Sequence, residues 1–454
     1  MSPVLLNFCL KLLNNDVVLI NYYLRNKELL LIYFLNLLFY FYLSKLISHT
    51  LALNSLSLST TYFLLSFFIF DLFVSFISKE IPFKTSITIV LAIWLVFLSM
   101  KTINKDRILK LIVIYIASLF INNRYFNNLK NLDNYIELNT DVPLQWLKLA
   151  ELISSKNYYF AFTNNIIDGQ SLVLSHVQST VFNLNFYLRD FQFIRLNSNI
   201  FLFFSLLLIY DLNISKKNKI IASFSIASLL LNSDWLTYLF LDSLMLEGTV
   251  SFLFAALVIN LNKYLTKKLN MKSLAYFSFF SCLFFTKQFI SLISLFLIVY
   301  VFLRYRNVNA MIGLVFYFAD YIYKIMYTPN VESFELLNNT SSIELLKDVL
   351  FFNNLEFSNI IKIISQLLID RPVSYLIFLF LALNIFRIYK YNLDKPDLNL
   401  YLFIVVINFI LIFLLYIVWW KDFGIQSSFR YIMNVFYLLF IGLIKNLNIL
   451  EKKI

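Results

Sequence analysis

Residues 410–420 read ILIFLLYIVWW, an apolar run with no alternation of polar and apolar positions. A strand of a membrane barrel turns every second residue toward a polar lumen, so this run belongs to a helix. Extended to 398–420, it is long enough to cross a bilayer. Similar runs fill most of the chain, at about 28–47, 57–77, 84–100, 108–122, 199–214, 219–232, 244–262, 273–286, 288–303, 309–327, 373–389 and 429–445. The expected fold is therefore all-α: a polytopic transmembrane helical bundle of about 11–13 spans. Hydrophobic residues make up 60% of the 454 and charged residues 14%, and the mean hydropathy is +0.75. These values exclude an ordinary soluble domain. Five Gly and six Pro leave few breaks, so the helices should run mostly unbroken.

One long interval departs from this pattern. Residues 123–198 are polar and Asn-rich, and they form the large loop expected to carry short helices. Within it Asp141 is a good N-cap, Pro143 suits a first turn, and Leu144, Leu147 and Ala150 recur at helical spacing. A second polar interval, 328–372, contains spacing typical of amphipathic helices lying on a membrane surface. Residues 1–27, interrupted by Lys11, Asn14, Asn15 and Asp16, read as an interfacial helix pair, with no cleavable signal peptide. The resulting organisation is membrane helices over 1–100, a core over 101–327 that includes the loop, the amphipathic segment 328–372, and membrane helices over 373–454.

Charge gives the orientation. With the long loop outside, the alternate short connections carry half of the 38 Lys and Arg residues. They include Lys101, Lys216, Lys217, Lys219, Lys263, Lys267, Lys268, Arg304, Arg306, Arg387 and Lys445, against only Asp106, Asp394, Asp397 and Glu451. That asymmetry follows the positive-inside rule from residue 101 onward. The net charge of +12 is thus an orientation signal and a contact with anionic membrane lipid, and no nucleic-acid partner is expected. The expected location is a bacterial inner membrane with the long loop in the periplasm.

The remaining ionisable groups gather toward the outer side. Asp133, Glu137 and Asp141 lie in the long loop, Asp242 and Glu247 follow a short outer connection, and Lys287 sits between two spans. Lys421 and Arg430 flank the last outer loop. Charges within spans are costly to insert, which marks such groups as functional candidates, although span ends relieve much of the cost. Each also has a plainer reading. Asp141 reads equally as a helix cap and as a base, and Lys287 and Arg430 as membrane anchors. Asp320 and Lys324 form an i,i+4 pair, His176 is a surface histidine, and Asp71 is a hydrogen-bonding group between helices. Cys9 and Cys282 are buried thiols, and two histidines argue against a histidine metal centre. No phosphate-binding loop, dinucleotide fingerprint or hydrolase elbow is present.

Four stretches together carry a family resemblance. They are TDVPLQWLKLAELISSKNY after a span, DWLTYLFLDSLMLEGTVSFLFAALV, FFTKQFISLISLFL, and SSFRYIMNVFYLLF near the end. In layout, over about residues 105–445, the chain resembles the GT-C superfamily of integral-membrane glycosyltransferases. It departs in lacking an adjacent acidic pair in the loop and in having about four segments before it. The resemblance implies a GT-C-like bundle that moves a sugar from a polyprenyl-phosphate donor to a glycan, lipid or protein acceptor of the cell envelope, with inversion. It implies Asp141 as base, with Asp133 and Glu137 beside it, and Lys287, Lys421 and Arg430 on the donor phosphate. Asp242, Glu247 and Tyr431 would orient the sugar or the loop. No cofactor is required by the resemblance, which leaves a divalent metal open. A polysaccharide polymerase or ligase and a lipid-linked sugar transporter are the rival readings. Transport by alternating access favours internal repeats and Gly- and Pro-broken helices.

Overall fold

The computed structural model describes residues 27–78, 80–101, 150, 152–153, 156, 177, 180, 204–233, 247–286, 288–315, 318, 357–368, 371–391, 396–418 and 431–451. Among them all regular structure is helical. The helices are α1 (Lys27–Thr50), α2 (Leu56–Ile77), α3 (Phe83–Lys101), α4 (Lys216–Asn232), α5 (Glu247–Asn260), α6 (Met271–Ser281), α7 (Gln288–Tyr305), α8 (Phe357–Leu367), α9 (Arg371–Tyr391), α10 (Pro396–Val418) and α11 (Phe436–Glu451). Short 3₁₀ turns at Leu261–Tyr264, Cys282–Phe285, Val308–Ala310 and Met433–Val435 join or extend them. The bounds of α1 to α7, α9 and α10 follow their apolar runs to within a few residues, and α11 with its preceding turn ends six residues beyond the run 429–445.

Among the described residues four helices are long and apolar enough to cross a membrane, over Leu56–Ser75, Pro372–Tyr389, Pro396–Phe413 and Met433–Glu451. The runs near 84–100, 273–286 and 288–303 form shorter apolar helices. Thr286, extended at φ −92° and ψ −153°, separates the last two. The run at 244–262 becomes α5, a helix of 14 residues. Every residue of α5 except Ile259 is buried, as expected for a helix apolar all round. It packs on α2, on α11 and on the turn at 433–435, so it is the central helix. Apolar length alone does not distinguish such a core helix from a span.

Side-chain hydrogen bonds gather one set of helix ends together. Asn260 Nδ2 donates to Ser55 Oγ at 3.2 Å, and Ser55 Oγ donates to Asp211 Oδ2 at 2.8 Å. Asn262 Nδ2 donates to Asp397 Oδ1, whose other oxygen lies 3.5 Å from Lys445 Nζ. Asn218 Nδ2 donates to Glu451 Oε2 at 3.1 Å, and the Asn270 N–H donates to Asn309 Oδ1 at 3.0 Å. Arg387, fully buried, donates to Asn399 Oδ1 at 2.7 Å. The connections read as positive-inside therefore share one end, called here the basic end. The turn between α2 and α3 and the start of α5 lie at the other, far end.

Close contact and polar pairing fix how the helices pack. A Cβ on Gly442 of α11 would sit 2.4 Å from the Phe380 ring of α9, so a side chain there would hold the two helices apart. Asp71 of α2 is buried and accepts from Ser86 Oγ of α3 at 3.2 Å. This is the interhelical role expected from its place in an apolar run. Cys282 is buried, as expected, and Cys9 lies outside the described residues. In α8, Ile363 is buried while Phe357, Ile361, Ile364 and Leu368 expose apolar surface. The amphipathic reading of 328–372 holds for this helix, whose outward apolar face suits the boundary between headgroups and acyl chains.

Candidate functional site

The far end brings two sequence-distant candidates onto neighbouring elements. Glu247 occupies the first turn of α5, where a carboxylate is favoured by the helix dipole, and it is fully buried. The turn Met433–Val435, two residues beyond Tyr431, packs against α5. One helical turn after Glu247, Ser251 Oγ accepts from the Tyr437 N–H at 3.2 Å. Tyr431 is half-buried against the core. The start of α5 and the segment that follows Arg430 thus run side by side from the far end inward.

Two asparagines give this region its polar interior. Asn434, in the turn against α5, and Asn408 of α10 are fully buried. Among the described residues neither end of either amide has a hydrogen-bond partner. A buried polar group left in this state costs about 1–3 kcal/mol. The turn at 433–435 also touches α10, so Asn434 belongs to the packing between α5, α10 and α11. The sequence reading passed over Asn434. Its signal was a lone amide inside the apolar run YIMNVFYLLF.

Described parts of the long loop also reach the far end. Ala150, Ile153, Val177 and Thr180 are helical and buried. The Phe83 N–H donates to the Lys156 carbonyl at 2.6 Å, which ties the loop to the start of α3. The apolar positions expected after Asp141 included Ala150, and that residue does pack inward. Asp133, Glu137, Asp141, Asp242, Lys287, Lys421 and Arg430 lie outside the described residues, as do His176, Asp320 and Lys324. Among the described residues no group of His, Cys, Asp and Glu side chains could hold a metal ion.

A different polar cluster occupies the basic end. Asp211 accepts from the Leu56 N–H at 2.7 Å, the Ser57 N–H at 2.8 Å, Ser55 Oγ and Ser57 Oγ. It caps α2 from 154 residues or more away in sequence. Burial pushes its carboxyl above the usual range, while hydrogen bonds from Ser57, Leu56 and Ser55 pull it back. Burial also lowers the Lys263 ammonium, an effect that the Asp211 charge opposes. With every carboxylate oxygen engaged, this cluster is a structural clasp between connections.

The separation of ends predicts opposite labelling. Single cysteines placed at Asn165 in the long loop and at the exposed Lys267 should react with an impermeant maleimide from opposite sides of a sealed vesicle. Reaction from one side for both positions contradicts the orientation read from charge. No family model, curated protein or solved structure matches the chain.

Proposed function

We propose that the chain is an integral-membrane glycosyltransferase that takes its sugar from a polyprenyl-phosphate donor at the far end of the bundle. The observation that carries this reading is the buried Glu247 on α5 together with the amide of Asn434, which has no partner among the described residues and lies in the turn that packs on α5. Both stand beside the chain that leads from Arg430 and Tyr431. An amide and a carboxylate supported on packed helices are groups that hydroxyl-rich ligands satisfy, and sugar hydroxyls meet that description. The layout shared with GT-C enzymes and the docking of the long loop near Lys156 support the same placement.

The chemistry follows from these roles. The acceptor hydroxyl oxygen attacks the anomeric carbon as the bond from that carbon to the donor phosphate oxygen breaks, which inverts the centre. Asp141, with Asp133 and Glu137 nearby in sequence, receives the hydroxyl proton. The departing phosphate keeps the bonding electron pair, and Lys287, Lys421 and Arg430 offset its charge. Asp242, Glu247, Asn434 and Tyr431 hold the sugar. The donor's lipid tail remains in the bilayer, so its phosphate is presented at span ends. The acceptor is a glycan, lipid or protein of the cell envelope, and the membrane is a bacterial inner membrane with the far end in the periplasm.

The test uses purified protein in lipid nanodiscs with a radiolabelled polyprenyl-phosphate sugar. Glu247→Gln and Asn434→Leu should each lower donor use by about tenfold or more, as loss of a hydrogen bond to a held group does. Melting temperature should hold or rise for Asn434→Leu, because the substitution removes a buried amide with no partner among the described residues. Unchanged donor use in both folded variants would place the sugar elsewhere.

A further inference from the structure

A cleft of about 370 Å³ opens at the basic end between the last turn of α7 and the first turn of α10. Among its described lining residues the one cation is Arg304, which is exposed and has no ion-pair partner among the described residues. Among its described lining residues there is no carboxylate. Asp397, in the same turn of α10, already holds Lys445 at 3.5 Å and accepts from Asn262. The first described turn of α10 forms one wall. Tyr300 bridges the two helices, with its ring 6.1 Å from that of Phe403 and 6.1 Å from that of Tyr305. Tyrosines at this level suit the boundary between water and hydrocarbon.

Above the cleft, two apolar stripes run along the outside of the bundle. Phe296, Tyr300 and Leu303 of α7 are exposed at helical spacing, as are Phe403, Val406 and Ile410 of α10. A polar mouth with a guanidinium that has no ion-pair partner among the described residues, continuous with an apolar groove between packed helices, has the form of a phospholipid. A second cleft at this end, between α4 and α11, is lined by Glu451 and, among its described lining residues, by no cation, so it offers an anion nothing.

We propose that this cleft binds an anionic glycerophospholipid of the leaflet at the basic end. Arg304 takes the phosphate, and the acyl chains lie along the stripes of α7 and α10. The basic connection that holds Lys263 raises the local concentration of anionic lipid. The site is independent of the sugar chemistry assigned to the far end.

Photolabelling of the full chain tests it. The protein is reconstituted in phosphatidylcholine vesicles carrying a trace of phosphatidylglycerol with a diazirine on one acyl chain. A matched phosphatidylcholine probe serves as comparison. The expected result is label on the peptides of α7 and α10 from the phosphatidylglycerol probe, competed by unlabelled phosphatidylglycerol. Arg304→Gln should lower that label about fivefold, the factor worth one basic group at a membrane surface. Arg306→Gln, outside the cleft, should leave it nearly unchanged. Leu400→Trp fills the cleft while keeping Arg304, and it should abolish the label even if the Arg304 variant proves hard to fold. Equal labelling by the phosphatidylcholine probe overturns the proposal. So does undiminished label in either cleft variant. Competition by inorganic phosphate alone would assign the cleft to a free phosphate and equally overturn a lipid site.

Discussion

Asp141→Asn is expected to reduce sugar transfer by roughly 10²–10⁴-fold, the usual worth of a positioned general base. Asparagine keeps the size of the side chain and caps a helix as well as aspartate does, so stability should move by only about a few tenths of a kcal/mol. The two readings of Asp141 therefore separate in one protein. A cap alone predicts an active and stable variant, and a base predicts a stable one almost without turnover. A carboxylate held by helix N–H groups is a weak base, because those donors favour its ionised form. It can still serve where the hydroxyl proton leaves late, as the bond to phosphate breaks. If turnover persists in Asp141→Asn but vanishes in Asp133→Asn or Glu137→Gln, the base is one of those neighbours.

The second large effect concerns stability. Asp211→Ala should destabilise the protein by roughly 2–3 kcal/mol, measured as a loss of melting temperature in detergent. The substitution removes the acceptor for the Leu56 and Ser57 N–H groups and for two serine hydroxyls. Because Ser55 also accepts from Asn260, the loss reaches the end of the central helix α5. Asp211→Asn should cost less, since its amide oxygen still accepts from one side. Transfer activity of either variant, assayed well below its melting temperature, should stay near normal, because Asp211 sits at the end remote from Glu247. An Asp211→Ala protein as stable as the wild type would mean that the α2 terminus is satisfied another way.

Much of the helical architecture was legible in the sequence because apolar length and periodicity are local properties. The bounds of α2, α3, α9 and α10 follow directly from their runs. Asp71 was legible for a similar reason, since a lone carboxylate in an apolar run must find a donor on a neighbouring helix, here Ser86. The basic end was legible from charge because membrane orientation acts on each short connection separately. The role of Asp211 was not, because its donors lie on a connection far away in sequence. Nor was the burial of α5, whose composition matches that of a lipid-facing span and whose position depends on what packs around it. Of the candidate site, Glu247 was visible as a charge within an apolar run. Asn434 was visible only as an amide, and its lack of a partner is a property of the packed bundle.

The measurement closest to the central claim follows both halves of a doubly labelled donor. Purified protein in sealed vesicles would receive a polyprenyl-phosphate sugar with one isotope in the sugar and another in the phosphate, together with an envelope lipid and glycan fraction as acceptor. The account predicts that the sugar label moves to the acceptor while the phosphate label stays on the polyprenyl lipid. Movement of both labels across the bilayer in an intact donor, with no glycosylated product, would contradict it and identify a transporter.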